Sequence, residues 1–291
     1  MVAKDTFFYV KKTLNCGGGI LDLSLPKVMG ILNVTPDSFY DGGQYLTEKE
    51  IIERVQQILS EGGSIIDIGA CSTRPGASDI PANEEAARLL PVVKLVKKEF
   101  PQSIISVDTY RATIAEQAVD AGAVMVNDIS GGSFDPMMFK TVGRIRVPYI
   151  CMHIQGTPKN MQEKPDYKDL VNEVVDYFSN KINEMKSNGI NDIIIDPGFG
   201  FGKLVEHNYQ LLNSLADLKI FEYSVLAGIS RKSMINKVLN TSPDKALNGT
   251  TVLNTIALKN GASILRVHDV KEAVEVVQLV NYSTTLSDLK I

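Results

Sequence analysis

Short apolar runs recur eight times along the chain. Each run has the length and the β-branched content of a buried strand, and polar or turn-forming residues bound it on both sides. The runs cover residues 27–33, 64–70, 104–109, 124–130, 148–154, 192–198, 224–230 and 263–269. Each run predicts one β-strand.

Segments with helical periodicity separate these strands. Residues 47–63 repeat apolar side chains at three- and four-residue spacing and end in two glycines, which is a helix-termination signal. The same periodicity occurs in residues 84–100, 112–123, 169–189 and 271–282. The segment at residues 135–145 is short and less regular.

Alternation of strands and helices predicts parallel strands, because a parallel crossover needs a helix or a connection of similar length. Eight such units in residues 27–291 favour an α/β fold of the (β/α)8 TIM-barrel type. An open doubly wound sheet is the alternative, but the first unit lacks a glycine-rich dinucleotide fingerprint. We predict that residues 1–26 form a short β-hairpin that closes the N-terminal end of the barrel, within a single domain.

Composition narrows the function classes. The 291 residues are 44% hydrophobic, carry a net charge of −4 and contain no basic tract, so a nucleic-acid partner is not expected. No apolar run approaches the roughly 20 residues of a membrane span, and lysines interrupt the N-terminal apolar stretch as they would not in a signal peptide. The three cysteines are widely spaced, so we expect a cytoplasmic protein without disulfides or a zinc site.

Polar residues stand at the carboxyl end of every predicted strand. One such residue could simply cap the next helix. Eight at equivalent positions predict a cluster at the C-terminal mouth of the barrel, meaning the end where the strands finish and where barrel active sites lie. The residues are Asn33, Asp67, Asp108, Asn127 with Asp128, His153, Asp196, Ser230 and His268.

The acids and amides of this cluster have a chemical character. Asp108, Asn127 and Asp196 suit the edge of a ligand rich in N–H donors, such as a pterin-like or guanidine-like ring, because carboxylates only accept hydrogen bonds. Together with Asn33, the two aspartates could instead bind a metal ion. No His/Asp spacing typical of a transition-metal site is present.

Cationic residues follow other strands. Arg266 and His268 end the eighth strand, and Lys232 follows the seventh, where barrel proteins usually bind phosphate. Arg74 lies in a loop between Ser72 and Gly76, and its guanidinium would match phosphate oxygens. Arg231 could equally form a salt bridge at the start of a helix.

The loop after the sixth strand alternates small and aromatic residues. Gly198, Gly200 and Gly202 permit backbone angles that other residues avoid and a close approach to a flat ligand. Phe199 or Phe201 could cover a ring, with Met152 on its other side or in the core. The loop lacks the spacing of a phosphate-binding P-loop.

Eight motifs in order resemble the dihydropteroate synthase family. They are MGILNVTPDSFYDGG (29–43), STRPGA (72–77), SVDT (106–109), VNDISGG (126–132), MHIQGTP (152–158), DPGFGFGK (196–203), GISRKS (228–233) and RVHDV (266–270). The resemblance implies a transferase that condenses 6-hydroxymethyl-7,8-dihydropterin diphosphate with 4-aminobenzoate, the sulfonamide-sensitive step of folate synthesis. It also implies Mg²⁺ and a homodimer.

The resemblance carries roles onto matching residues. It places the pterin against Asp108, Asn127, Met152, Asp196, Phe201, Gly228 and Lys232. It places the diphosphate against Asn33, Arg74, Arg266 and His268, with Asn33 also a ligand of Mg²⁺. It places 4-aminobenzoate against Phe39, Thr73, Pro75 and Ser233. The groups that act on the reaction itself are Asp108, Lys232, Arg266 and His268.

Two residues depart from the family pattern, and three other functions remain as alternatives. Cys71 stands where many family members have a glutamate before STRPG, and Tyr40 stands where a serine is common. A pterin-dependent methyltransferase barrel would share the pterin-facing acids. A Schiff-base aldolase would use Lys232, because a desolvated lysine can form such an adduct. A barrel that only binds pterin would release no diphosphate.

Overall fold

The computed structural model describes residues 10–34, 47–72, 80–163 and 165–288, with side chains described as far as residue 285. Four residues with predicted site roles lie outside these ranges: Phe39, Thr73, Arg74 and Pro75. No helix within the described ranges is long and apolar enough to cross a membrane.

Eight parallel strands close into a barrel, as predicted. They are β3 (Lys27–Asn33), β4 (Ile65–Gly69), β5 (Ile104–Asp108), β6 (Met125–Asp128), β7 (Tyr149–Met152), β8 (Ile193–Asp196), β9 (Ser224–Ala227) and β10 (Ile264–Val267). Neighbours along the chain pair in space, and β10 pairs with both β9 and β3, which closes the ring. The fold is therefore a (β/α)8 barrel.

The helices surround the barrel. They are α1 (Glu48–Ser60), α2 (Ala82–Glu99), α3 (Ala112–Asp120), α4 (Met138–Ile145), α5 (Leu170–Ser187), α6 (Val205–Asn213), α7 (Ser233–Leu239), α8 (Leu247–Lys259) and α9 (Val270–Asp288). Short 3₁₀ helices occupy Leu215–Phe221 and Pro243–Lys245. Apolar side chains of the strands and helices form one buried layer between them.

The less regular segment at residues 135–145 contains a helix. Residues 138–145 form helix α4, although their periodicity is irregular. Met138, Phe139 and Val142 are buried in the layer between barrel and helices. The helix has only eight residues, so its apolar face is too short to give a clear periodic signal.

The N-terminal hairpin covers the amino ends of the barrel strands, as predicted. Strands β1 (Thr13–Cys16) and β2 (Gly19–Asp22) pair antiparallel around Gly17 and Gly18, whose φ angles of 62° and 90° a β-branched residue would avoid. Apolar hairpin side chains pack against the first inward-facing layer of the barrel, in a cluster that contains Leu14, Cys16, Leu21, Leu23, Met29, Ile65, Met125, Ile150, Ile194, Leu226 and Ile264. The hairpin therefore leaves the opposite end of the barrel as the accessible one.

Candidate functional site

Parallel strand register brings the predicted acids and amides side by side. Asp108 ends β5 opposite Asn127 of β6, and Asp196 ends β8 opposite Met152 of β7. Gly69, which ends β4, pairs with both Asn33 and Asp108. A Cβ at Gly69 would contact Asp108 Cβ at 3.4 Å and would lie 3.7 Å from Asn33 Oδ1. The glycine therefore leaves space between the Asn33 amide oxygen and the Asp108 carboxylate.

A hydrogen-bonded chain of side chains crosses the barrel. Arg266 donates through Nε to Asp67 Oδ2 at 2.7 Å and through Nη2 to Asp108 Oδ2 at 2.8 Å. Asn127 Nδ2 donates to the same Asp67 oxygen at 3.0 Å. Two of the three guanidinium nitrogens are thus committed to carboxylates. Arg266 therefore organises the acids as well as offering positive charge to a ligand.

Burial changes the protonation chemistry of this cluster. Desolvation raises the pKa of Asp108 to about 7, because the attraction of Arg266 only partly offsets burial and the nearby Asp67 charge. Desolvation also raises the pKa of Asp196, against the opposing charge of Lys232. The same cause lowers the pKa of Lys232 to about 8. Perturbed acids and an amine at one strand end are typical of a functional site.

The glycine loop after β8 encloses a second lysine. Lys203 is buried, and its Nζ lies 3.0 Å from the carbonyl oxygens of Gly198 and Phe201 and 2.9 Å from His153 Nδ1. Desolvation lowers its pKa to about 7. Lys203 Nζ donates hydrogen bonds to these loop carbonyl oxygens, which in an exposed loop would be bonded by water.

This loop also positions Lys232. The Lys232 Nζ donates to Phe199 O at 2.6 Å and lies 4.7 Å from the centre of the Phe201 ring. Gly228 lies alongside, since a Cβ there would stand 3.6 Å from Lys232 Nζ. Phe201 packs with Met152 in a small buried cluster at the same end of the barrel. The loop therefore presents an aromatic ring and a lysine to one space, and Met152 packs beside that ring.

The remaining predicted residues lie at the rim. His268 lies just beyond β10, with Nδ1 3.2 Å from Ser230 Oγ. Desolvation and the charge of Arg266 lower the pKa of its imidazole. Ser233 is the exposed first residue of α7. Arg231 forms the salt bridge that was its alternative role, with both Asp269 oxygens at 2.7 and 2.8 Å.

Sequence reasoning placed Asp67 in the cluster at the barrel mouth without a specific role, and gave no role to Lys203. Asp67 interrupts the apolar strand β4 and receives both Asn127 and Arg266. Lys203 ends the glycine loop that it holds. An acid inside an apolar strand and a lysine after three glycines were visible signals, but only the structure identifies their partners.

Metal coordination by the protein alone has few candidate groups. Within the described ranges, no three His, Cys, Asp or Glu side chains come together as a possible metal site. Asn33 contributes one amide oxygen at the mouth, beside Gly69 and Asp108. Such a donor fits a hard cation that takes its other ligands from water and phosphate oxygens.

Comparison with known proteins finds relatives along most of the chain. The family described as "Pterin binding enzyme" matches residues 29–268. A protein of Escherichia coli strain K12, "Dihydropteroate synthase", is 42% identical over 275 residues, which is 94% of this chain and 97% of that protein. A Haemophilus influenzae protein of the same name is 44% identical over 252 residues, or 86% and 91% of the two chains.

Solved structures give the same result. The Yersinia pestis dihydropteroate synthase in a sulfonamide drug complex superposes with a TM-score of 0.90 at 43% identity, over 94% of this chain and 99% of that one. The Xanthomonas albilineans dihydropteroate synthase with 4-aminobenzoic acid superposes with a TM-score of 0.88 at 37% identity, over the same shares of the two chains. The family match over residues 29–268 includes every strand end described above.

Proposed function

The chain belongs to the dihydropteroate synthase family of pterin-binding enzymes, and we infer that it is a transferase that joins 6-hydroxymethyl-7,8-dihydropterin diphosphate to 4-aminobenzoate. The products are 7,8-dihydropteroate and diphosphate. The observation that carries this conclusion is the convergence of Asp108, Asn127, Asp196, Lys232 and Arg266 at one end of a barrel that matches the family over its full length. Full-length relatives of one name favour the synthase over the methyltransferase and aldolase alternatives.

Pterin binding is assigned to the buried half of the site. The ring carries N–H donors, and the carboxylates of Asp108 and Asp196 and the amide oxygen of Asn127 are acceptors. Phe201 and Met152 supply an apolar surface for the ring. Lys232 provides the complementary donor for a ring acceptor, because its Nζ has further N–H groups beyond the one given to Phe199 O.

Diphosphate binding is assigned to the rim. Arg266 keeps one guanidinium nitrogen, Nη1, beyond its bonds to Asp67 and Asp108, and His268 follows two residues later, just past β10. The lowered pKa of His268 makes the imidazole neutral near pH 7, so in the ligand-free site it offers a hydrogen bond rather than a charge. An arriving diphosphate would favour the protonated ring and would raise that pKa. Arg74 is assigned to the same group and lies outside the described residues.

The reaction then needs two opposite electrostatic fields at one breaking bond. Departing diphosphate accumulates negative charge, which Arg266 and His268 stabilise. The pterin methylene becomes cation-like, and the Asp108 carboxylate stabilises it from the ring side. The amine of 4-aminobenzoate attacks this carbon and loses a proton. No protein nucleophile is required, and Lys232 therefore acts by orienting the ring.

Mg²⁺ is proposed as a cofactor that arrives with the diphosphate. Its chemistry would be to neutralise the phosphate oxygens of the leaving group. Asn33 is the assigned protein ligand, since its Oδ1 borders the space that Gly69 leaves open beside Asp108. An amide oxygen without a surrounding cage suits a cation that keeps several waters and binds substrate phosphates.

The remaining assignments concern the second substrate and the whole protein. Phe39, Thr73, Pro75 and Ser233 are proposed to hold 4-aminobenzoate.

A homodimer is proposed through helices α7, α8 and α9. The exposed apolar side chains of these helices are Val238, Leu239, Val252, Leu279 and Tyr282. A cytoplasmic location is proposed because the three cysteines are free thiols.

Product analysis tests the proposed function. Wild-type protein incubated with both substrates and Mg²⁺ should form 7,8-dihydropteroate, identified by mass spectrometry. Lys232→Met should bind the pterin more weakly and form the product at least about tenfold more slowly, because it keeps the side-chain length and removes the donor. A wild-type protein that consumes the pterin diphosphate without forming dihydropteroate would refute the assignment.

A further inference from the structure

Asp67 is a buried carboxylate that lies one side chain away from the proposed pterin site. It stands in the middle of β4 and is fully buried, and its Oδ2 accepts from Asn127 Nδ2 and from Arg266 Nε. Its other oxygen, Oδ1, has no hydrogen-bond partner among the described residues. Both donors therefore converge on a single oxygen.

We propose that Asp67 is a positioning residue that fixes the orientation of the Asn127 amide, so that Asn127 Oδ1 is the atom offered to the pterin ring. This inference rests on the proposed function, which places the pterin at Asn127. Asp67 itself contacts Asn127 and Arg266 and acts on the substrate only through them.

The orientation follows from the chemistry of the two groups. An asparagine side chain ends in one acceptor and one donor of almost equal size, so shape alone does not decide which end faces a neighbour. An ionised carboxylate accepts hydrogen bonds and donates none. At a separation of 3.0 Å, the reversed amide would place two oxygens in contact inside a buried site. Asp67 therefore directs Asn127 Nδ2 towards itself and Asn127 Oδ1 away.

Rigid anchoring makes this orientation persistent. Asp67 belongs to β4, which is buried along its whole length, and Asn127 belongs to β6, which is also buried throughout. Arg266 donates to the same Asp67 oxygen as Asn127 and is itself hydrogen-bonded to Asp108. The acceptor offered by Asn127 and the position of the Asp108 carboxylate are thus linked through one guanidinium group. A ring with N–H donors is favoured, and a ring that presents acceptors at that edge is rejected.

The competing explanation is that Asp67 only neutralises Arg266. In that case the identity of the group facing Asn127 would be unimportant, provided that the charge near Arg266 is kept. The two explanations differ in what happens when the donor and the acceptor exchange places. Two variants separate the steps of this exchange: Asn127→Asp alone, and Asn127→Asp together with Asp67→Asn, which completes it.

The variant Asn127→Asp places two carboxyl groups against each other. Binding of 6-hydroxymethyl-7,8-dihydropterin then requires a proton on the pair, because the protonated acid imitates the amide donor. The pKa of that proton is raised above the ordinary value of about 3.9, so the proton is held at low pH and lost as the pH rises. We expect affinity close to wild type at about pH 5 and at least about tenfold weaker at about pH 8.

The double variant restores a matched pair with the roles reversed. The new amide at position 67 can donate to the new carboxylate at position 127 and accept from Arg266 Nε only if its carboxamide group rotates, because in the wild type both partners meet the single oxygen Oδ2. The net charge equals that of the wild type. Calorimetric titration with 6-hydroxymethyl-7,8-dihydropterin should give an affinity within about threefold of wild type, and the additional pH dependence should disappear. A matched control is Asn127→Asp with Asp128→Asn, which has the same net charge but changes a carboxylate bonded to Tyr149 OH instead.

Each outcome decides between the explanations. Recovery in the double variant but not in the control supports the positioning role. A double variant that binds no better than Asn127→Asp, or that does not fold, overturns it. If Asn127→Asp is unfolded, recovery of folding by Asp67→Asn is the supporting result. A wild-type protein that binds no pterin refutes the proposed function instead. In that case, the recovery of the double variant relative to Asn127→Asp is measured as the free energy of unfolding.

Discussion

Individual acids at the mouth differ in what surrounds them, and this difference sets their roles. Asp67 and Asp108 share Arg266, whereas Asp196 accepts from the backbone N–H of Gly198 at 2.8 Å. Asp128 points out of the barrel and is bonded by Tyr149 OH and by the N–H groups of Ser130 and Gly132. Neighbouring carboxylates of similar burial can therefore be compared as site and non-site residues.

Replacement of Asp196 should weaken pterin binding without unfolding the barrel. Asp196→Asn removes a charged acceptor, which contributes about 1.5–3 kcal/mol to a hydrogen bond with a ligand donor. The control Asp128→Asn should lower the free energy of unfolding and leave pterin affinity unchanged. Calorimetric titration of both variants provides the measurement, and unchanged affinity in folded Asp196→Asn would contradict the assignment.

The raised pKa of Asp108 predicts opposite effects of pH on activity and stability. Only the ionised carboxylate can stabilise a cation-like methylene, so kcat/KM should fall as the pH drops below about 7. The pKa in the folded protein lies above the unfolded value of about 3.9, so the contribution of Asp108 to stability is present below about pH 4 and is lost as the pH rises towards 7.

Two pH series on the wild type and Asp108→Asn check this prediction. Thermal unfolding between about pH 4 and 7 should show a smaller loss of stability in Asp108→Asn, and the rate of product formation should lose its acidic limb. An acidic limb in the wild type with an apparent pKa near the ordinary value of about 3.9 would show that the Asp108 carboxyl is not perturbed.

At the scale of elements, the loop between β8 and α6 depends on glycine. A Cβ added at Gly198 would stand 2.0 Å from the carbonyl oxygen of His153, and the φ angle there is +70°. Gly189, after α5, has a φ of +84° but no atom within 4 Å of such a Cβ. Both positions therefore have a left-handed backbone that would strain any other residue. They differ in whether an added Cβ would meet another atom.

Alanine substitution at these two positions separates the cost of left-handed strain from the cost of a clash with the backbone. Gly189→Ala should lower the free energy of unfolding by about 1–2 kcal/mol through left-handed strain alone. Gly198→Ala adds a backbone clash and should cost about 2–5 kcal/mol, with loss of pterin affinity because the loop carries Phe201 and the acceptor of Lys232. Urea unfolding gives both values, and equal costs would mean that the loop can move aside.

The elements were predictable where a pattern is local. All eight barrel strands and the hairpin lie where apolar runs and the glycines at 17–19 predict them, within a few residues. No separate bounds were predicted for α6, α7 and α8, because these helices are short or their buried faces include polar and small residues such as Asn208 and Gly249. The partners of Asp67 are distant in sequence, since it meets Arg266 across 199 positions, and Lys203 meets His153 across 50. No periodicity encodes such a pairing.

At the scale of the whole molecule, the exposed apolar side chains of α7, α8 and α9 predict where a dimer would form. Val252→Glu should shift a dimer to monomer, because a charge buried in an interface costs several kcal/mol. Ile220→Glu is the control, since Ile220 is 53% exposed, close to the 50% of Val252, but lies in the Leu215–Phe221 segment. Sedimentation velocity measures the oligomeric state of both variants. If only Ile220→Glu dissociates the dimer, the interface includes the Leu215–Phe221 segment and not α8.

Diphosphate release from 6-hydroxymethyl-7,8-dihydropterin diphosphate tests the central claim most directly, which is that opposed charges at the barrel mouth drive condensation with 4-aminobenzoate. With Mg²⁺ and both substrates, the wild type should release diphosphate in equal amount to the dihydropteroate formed. Arg266→Met should slow both by about a hundredfold or more, because it removes the cation that faces the leaving group. Absence of release in the wild type, or release that Arg266→Met leaves unchanged, would contradict the account.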